Sequence, residues 1–283
     1  MNMKKLLTVF AAIIAAATLG GCASRNKKEE AYLPPVEERE ESSLPGLPET
    51  SETPKVTVPE TPETVAPEPP VIKTVSYIRV TADGVNIRSG AGTSYSPLGT
   101  AEKNTLYAYL GKSGSWYKTK YKDMTAYISE KYCSLTEMEL SDNERIESVI
   151  QSGLRFMGVK YVYGAVRYHD GKGNKLKNFT TEAFDCSSLM QYIFFDGAGV
   201  LLDVNTRTQV YQGDTVSKSQ LRRGDLMFFT NASRKNNKGV ERIGHVALYL
   251  GDNLILHTAS DYAKIEQIST TRWGYFIQGQ RIL

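Results

Sequence analysis

In Phe184-Asp185-Cys186-Ser187-Ser188-Leu189-Met190-Gln191-Tyr192-Ile193-Phe194-Phe195, a single cysteine stands at the head of a run too apolar for a protein surface. Leu189, Tyr192, Ile193 and Asp196 are spaced as one side of a helix, and Gly197 closes the run. The spacing predicts a buried helix with Cys186 in its first turn. There the positive end of the helix dipole favours a thiolate and lowers the thiol's pKa. A thiolate is a nucleophile, and to work as one it needs a base or an imidazolium beside it.

The chain has three histidines, and two fall where such a partner is needed. His245 lies in Gly244-His245-Val246-Ala247-Leu248-Tyr249-Leu250, an alternating strand. Gly251-Asp252-Asn253 reads as a turn, and Leu254-Ile255-Leu256-His257-Thr258-Ala259 as the returning strand. A three-residue loop sets Leu250 opposite Leu254 and Ala247 opposite His257. His245 and His257 are then diagonal neighbours on one face. A two-residue loop puts them on opposite faces. In the first register, an imidazole beside Cys186 and a second behind it make a nucleophile, a base and an orienter. His169 lies in the polar stretch 166–181, read as a surface insertion, and is taken as non-catalytic. No Cys/His spacing suits zinc, so no metal and no cofactor are expected. Gly171-Lys172-Gly173 lacks the strand–helix setting of a phosphate loop.

Working outward, Ser141-Asp142-Asn143-Glu144 reads as a capping box. Ile146, Val149, Ile150, Gly153, Leu154 and Met157 follow on one helical face, with Gly158 ending the helix. Lys160-Tyr161-Val162-Tyr163-Gly164 is a short approach segment. Before this, from Tyr77, short β-prone runs alternate with turn signals, which indicates a small barrel. Cys133, just after the last of these runs, is read as a buried free thiol. Trp116 and Tyr95 are candidate ligand contacts there, with core packing the bland reading of Trp116.

Residues 23–73 are of another kind. They hold 10 of the 11 prolines, 11 of the 31 acidic residues and one aromatic, Tyr32. Such a segment cannot bury enough surface to offset its ordering entropy, so it is read as a disordered tether. Residues 74–283 then carry 26 Lys+Arg against 20 Asp+Glu, or +6 where the whole chain is +3. A single domain filling the chain is excluded, and so is a disulfide scaffold with three cysteines in 283 residues. Ahead of the tether, Lys4-Lys5 and a mostly apolar run from Leu6 to Gly21 have signal-peptide length.

Three resemblances attach to these residues. Leu19-Gly20-Gly21-Cys22 resembles the bacterial lipobox, which implies cleavage before Cys22 and lipidation of its thiol. More than one acyl chain is implied, because one anchors only marginally. Val85-Asn86-Ile87-Arg88-Ser89-Gly90-Ala91-Gly92-Thr93-Ser94-Tyr95, Gly114-Ser115-Trp116-Tyr117-Lys118-Thr119 and Ala126-Tyr127-Ile128-Ser129 resemble the bacterial SH3-like domains, implying a wall-targeting module. Tyr161-Val162-Tyr163-Gly164, Phe184-Asp185-Cys186-Ser187-Ser188, Leu221-Arg222-Arg223-Gly224-Asp225-Leu226-Met227-Phe228-Phe229, Ile243-Gly244-His245-Val246-Ala247-Leu248-Tyr249-Leu250-Gly251-Asp252 and Leu256-His257 resemble, in that order, the NlpC-type cell-wall endopeptidases. These are papain-like cysteine peptidases.

That third resemblance implies an α+β fold, a papain-like peptidase domain preceded by a small all-β SH3-like barrel. It implies Cys186 as nucleophile, His245 as base and His257 as orienter. Tyr161, Asp185, Ser187 and Arg207 are the implied substrate-binding residues, with helix capping the other reading of Asp185. Two departures are Ser188, where the family has glycine and where tighter helix packing is expected, and the long 166–181 insertion, a candidate lid.

The domains expected are 1–21 signal peptide, 22–73 lipidated cysteine and tether, 74–136 SH3-like domain and 140–283 catalytic domain. The implied activity is cleavage of peptidoglycan stem peptides at the γ-D-glutamyl–diamino acid bond by an exported, lipid-anchored enzyme. The expected partners are those peptides and a membrane, with no nucleic acid; a monomer is expected. The rival readings are a non-catalytic wall-binding lipoprotein, and an amidase or acyltransferase on a related scaffold.

Overall fold

The structure, a computed structural model, describes residues 72–283. The expected signal peptide, Cys22 and all but the end of the tether lie outside the described residues.

The first part is all β. Its strands are β1 (Thr74–Val80), β2 (Val85–Arg88), β3 (Pro97–Ala101), β4 (Leu106–Ala108), β5 (Lys112–Ser113), β6 (Trp116–Tyr121), β7 (Met124–Ser129) and β8 (Cys133–Glu139). They form a three-stranded sheet in the order β4-β1-β8 and a five-stranded sheet in the order β3-β2-β7-β6-β5. Alternation does the sorting: Val85 and Ile87 are buried while Asn86 between them is exposed. The β6–β7 hairpin turns at Lys122-Asp123, both at positive φ (51° and 61°), as a two-residue turn of this hand requires. Two expectations change here. A further strand, β8, pairs with β1 from Thr74↔Glu139 to Val80↔Cys133, so the barrel extends to residue 139 rather than 136. Cys133 opens that strand and is half-buried; burial pushes its thiol up to about 12.

The second part is α+β. Helix α1 (Glu144–Arg155) is followed by β9 (Lys160–Tyr161), β10 (Ala183–Phe184), α2 (Cys186–Ala198), α3 (Thr206–Gln209), β11 (Asp214–Val216), β12 (Leu226–Phe229), β13 (His245–Gly251), β14 (Leu254–Ala259), β15 (Tyr262–Gln267), α4 (Thr270–Gly274) and β16 (Phe276–Arg281). The strands make one eight-stranded sheet, β10-β9-β15-β14-β13-β12-β16-β11. The α1 N-cap is Asn143, not Ser141: the Asn143 Oδ1 accepts the Arg145 N–H at 3.0 Å. Ser141 supports it from outside, its Oγ accepting the Asn143 N–H at 3.2 Å. The apolar face is buried as the spacing predicts. The helix stops at Arg155, ahead of Gly158, whose φ of 81° and closeness to the Tyr121 ring leave no room for a Cβ.

Helix α2 packs against α1 on one side and against β13 and β14 on the other. It comes so close to α1 that a Cβ on Gly197 would sit 2.6 Å from the Val149 backbone nitrogen and the Ser148 carbonyl. Gly197→Ala must push the helices apart. It is expected to cost about 1–3 kcal/mol, read as a lowered unfolding midpoint; an unchanged midpoint would contradict this packing. Alternate strand residues serve opposite faces of the sheet. Leu226, Phe228, Val246, Leu248 and Leu256 join the core that α1 and α2 complete, and Met227, Phe229, Ala247 and Ile255 form a second cluster with Ile268. The first core is continuous with the barrel's. Arg223, 8% exposed, ties the two parts together: it donates to Glu147 Oε1 (2.6 Å) and Oε2 (2.8 Å), to the Leu250 carbonyl (2.9 Å) and to the Tyr77 hydroxyl (3.0 Å).

The 166–181 stretch is an anchored insertion rather than a loose surface one. His169 is fully buried, and its backbone N–H and carbonyl bond the Gln191 side chain of α2, each at 3.3 Å. Tyr168 stacks among Phe179, Tyr192 and Phe195 at centroid distances of 5.2, 5.5 and 4.6 Å.

Candidate active site

Cys186 is the first residue of α2, and the turn that presents it is held by Asp185. The Asp185 Oδ1 accepts the Ser188 N–H at 2.7 Å and the Ser187 hydroxyl at 2.9 Å. The Ser188 Oγ accepts the Asp185 N–H at 2.8 Å, which completes a capping box. Ser188 thus contributes a cap, where tighter helix packing was expected. Capping engages the Ser188 N–H, and the Leu189 N–H reaches the Asp185 carbonyl at 3.0 Å. The N–H groups of Cys186 and Ser187 instead lie close enough to the Cys186 sulfur to lower its pKa, as does the N–H of Val246 in β13.

The thiol is nonetheless not a preformed thiolate. Burial first, and the Asp185 carboxylate second, push Cys186 up to about 12. At 8% exposure, the loss of hydration outweighs the helix dipole, contrary to the sequence expectation. Tyr161 is paired beside Phe184 on the parallel strands β9 and β10. Burial, Cys186 and Asp185 push its hydroxyl up to about 12, so it stays a phenol and can donate.

The two histidines meet by an unexpected route. The β13–β14 loop has two residues, Asp252-Asn253, both at positive φ, with Gly251 opposite Leu254. A bulge between Tyr249 and Gly251 then absorbs one residue and restores Tyr249↔Ile255 and Leu248↔Leu256. That is the register in which Ala247 faces His257. The short turn alone would have sent the rings to opposite faces; the bulge returns them to one. His245 Nε2 and His257 Nδ1 are 3.0 Å apart, with the ring planes at 79°. His245 is half-buried and His257 fully buried. Burial, followed by the charges of His257 and Arg272, holds His245 well below 6.5.

Sequence reasoning did not reach Glu266. Its Oε1 lies 3.1 Å from His257 Nε2 and accepts from Arg272 Nη2 at 2.8 Å. The signal was present: a β14–β15 hairpin turning at Ser260-Asp261 pairs Ile255 with Glu266 and sets Glu266 diagonal to His257.

A cavity of about 420 Å³ opens beside His245 and Tyr161, and Asn231, Ser260, Ser269 and Arg272 line it as well. A hollow of about 510 Å³ near Asp142, Arg222 and Asp252 is lined by none of the expected site residues. Arg207, on α3, is not in the cavity wall; its guanidinium points to Glu241 at 3.6 Å. No residue of 166–181 lines the cavity, and neither do Cys186, Asp185 and Ser187. His169 accepts the Gly171 N–H at 3.0 Å through Nδ1. In the barrel, half-buried Trp116 shares a hollow of about 370 Å³ with Arg88, Lys131 and Tyr132, and Tyr95 is 51% exposed. Among the described residues, no group of three or more His, Cys, Asp or Glu could hold a metal ion.

Residues 158–281 match the NlpC/P60 family, and residues 83–134 match the bacterial SH3 domain. The peptidoglycan endopeptidase RipA of Mycolicibacterium smegmatis is 33% identical over 131 residues, 45% of this chain and 24% of that protein. The γ-D-glutamyl-L-lysine dipeptidyl-peptidase of Bacillus subtilis is 31% identical over 129 residues, 46% of this chain and 37% of that protein. The crystal structure of an NlpC/P60 family protein from Bacillus cereus aligns over 74% of this chain and 64% of its own, at 19% identity and a TM-score of 0.39. The chain thus spans less than two thirds of each.

Proposed function

We propose that the chain, whose residues 158–281 match the NlpC/P60 family and 83–134 the bacterial SH3 domain, is a papain-like cysteine endopeptidase that hydrolyses peptidoglycan stem peptides. We place the cut between γ-D-glutamate and the diamino acid, and the enzyme outside the cytoplasm, lipid-anchored through Cys22. The observation that carries the reading is the thiol of Cys186 at the capped head of α2, beside the strand that bears a histidine pair 3.0 Å apart. The name of the Bacillus subtilis relative supports the choice of bond, and the lipobox resemblance supports the anchor, which the mass of the mature amino terminus checks. The +6 charge of residues 74–283 favours approach to anionic wall polymers, an effect that added salt weakens.

The chemistry follows from a neutral resting pair. As the Cys186 sulfur attacks the amide carbonyl, its proton passes to His245 Nδ1, the ring nitrogen not turned to His257. The oxyanion is held by the Cys186 and Ser187 N–H groups, with the Tyr161 phenol as a further donor. His245 then protonates the leaving amine, and the C–N bond breaks. A water that gives its proton to His245 attacks the thioester, releasing the γ-D-glutamyl carboxylate and the thiol. Asp185 Oδ2, the oxygen outside the cap, and Ser187 receive the substrate's amino end, with Arg207 farther out.

A base must be neutral to act. His245 is held well below 6.5, so its neutral form, and with it kcat/KM, persists as pH falls past 6.5 and is lost only as pH falls through that depressed value. A pH profile on a defined muropeptide checks this; an acid limb at or above 6.5 would contradict it. The reading itself is tested by incubating the full chain with defined muropeptides and weighing the products. A new γ-D-glutamyl carboxylate supports the endopeptidase, and a freed lactyl group on muramic acid supports an amidase. Wall binding without turnover supports a binding protein.

A further inference from the structure

The contact between the two imidazoles leaves a question that their geometry alone does not answer. At 3.0 Å, one of His245 Nε2 and His257 Nδ1 must donate and the other accept. If His257 donates, His245 carries its proton on Nδ1 and has no lone pair for the thiol. If His245 donates, its Nδ1 is a free base, and His257 carries its own proton on Nε2. Only the second arrangement works as a base, and something must select it.

We propose that Glu266 is a positioning residue that selects the working tautomers of His257 and His245 by holding a carboxylate against His257 Nε2. The inference rests on the reading of His245 as the base for Cys186. His257 Nε2 lies 3.1 Å from Glu266 Oε1, off the axis of a linear hydrogen bond. A carboxylate is only an acceptor, so a lone pair on Nε2 would face negative charge in a fully buried setting, where electrostatics are strong. A proton on Nε2 turns that repulsion into attraction. It frees Nδ1 to accept from His245, and His245 Nδ1 is left open.

The groups around Glu266 keep it charged. Arg272 on α4 donates to it at 2.8 Å, and Lys264, which shares its strand, lies 3.7 Å away. Lys264 in turn faces Asp261 at 3.0 Å and Glu102 of the barrel at 3.9 Å. Burial raises the Glu266 pKa, but His257, Arg272 and Lys264 outweigh it and hold the carboxyl at about 2. The carboxylate is therefore present throughout the range in which the base works.

The test uses the full chain. In the wild type, ¹⁵N NMR of labelled histidine is expected to place the neutral His257 proton on Nε2; a proton on Nδ1 overturns the proposal without any variant. Glu266→Gln is expected to lower kcat/KM on a defined muropeptide by about 10- to 100-fold with KM little changed. Its acid limb should move to lower pH, because removing negative charge weakens the imidazolium form of His245. Glu266→Asp should keep the limb in place. A folded Glu266→Gln with the wild-type limb and tautomer overturns the proposal and leaves Glu266 as a partner of Arg272 alone. Wild-type cleavage that survives Cys186→Ala would instead refute the proposed function, and the tautomer measurement would still judge Glu266.

Discussion

Cys186→Ala is expected to lower muropeptide cleavage about 10,000-fold or more, while the chain stays folded and still binds its substrate. The reasoning is chemical. The proposed route passes through a thioester, and alanine offers no atom that can form one. The surroundings give little reason for a structural loss. The cap that starts α2 runs through Asp185, Ser187 and Ser188 and does not use the sulfur. A buried thiol exchanged for a methyl side chain removes one atom from the core. Circular dichroism and the unfolding midpoint should therefore change little while turnover vanishes. Retained cleavage would refute the thiol route outright. Because the thiol is pushed up to about 12, alkylation of Cys186 by iodoacetamide should also be slow at neutral pH.

Arg223→Ala is expected to destabilise the protein by about 3–5 kcal/mol. The guanidinium holds a carboxylate on α1, a carbonyl at the end of β13 and a phenol on β1. Truncation leaves Glu147 with its charge largely out of water, and leaves Leu250 and Tyr77 without their donor. The cost arises from what is stranded rather than from the pair's own worth. Exchanging Arg223 and Glu147 together for apolar residues should therefore cost much less than Arg223→Ala alone. Arg223→Lys should recover only part, because an ammonium cannot make the bidentate contact and reach the other two groups. Denaturant unfolding of the full chain measures all three. A loss within about 0.5 kcal/mol, the range of ordinary surface changes, would mean that Arg223 is not a joint between the barrel and the α+β part.

Much of the site was legible in the primary sequence, and particular residues show why. Cys186 stands where an apolar helical run begins, and a helix start is a local event set by a cap and a periodicity. His245 and His257 alternate correctly in adjacent strands, and strand alternation is local too. The loop between them was open between three residues and two; it has two, and the rings share a face because a bulge compensates. A bulge depends on how the hairpin sits in the sheet and leaves little local trace. The α1 cap was displaced from Ser141 to Asn143 for a similar reason: Glu147 bonds the Ser141 N–H, and Glu147 is itself placed by Arg223.

The sequence alone determined the kinds of groups available and their order along the chain: a thiol at a helix head, two imidazoles on a hairpin, a β-rich module before them and an acidic, proline-rich stretch before that. These follow from side-chain chemistry and short-range periodicity, which need no knowledge of distant contacts. Only the tertiary structure decided the protonation of the thiol, the burial of His169, the joint at Arg223 and the arrival of Glu266 behind His257. Each depends on desolvation or on the pairing of strands and helices far apart in sequence, and such energies exist only once the chain has closed around them.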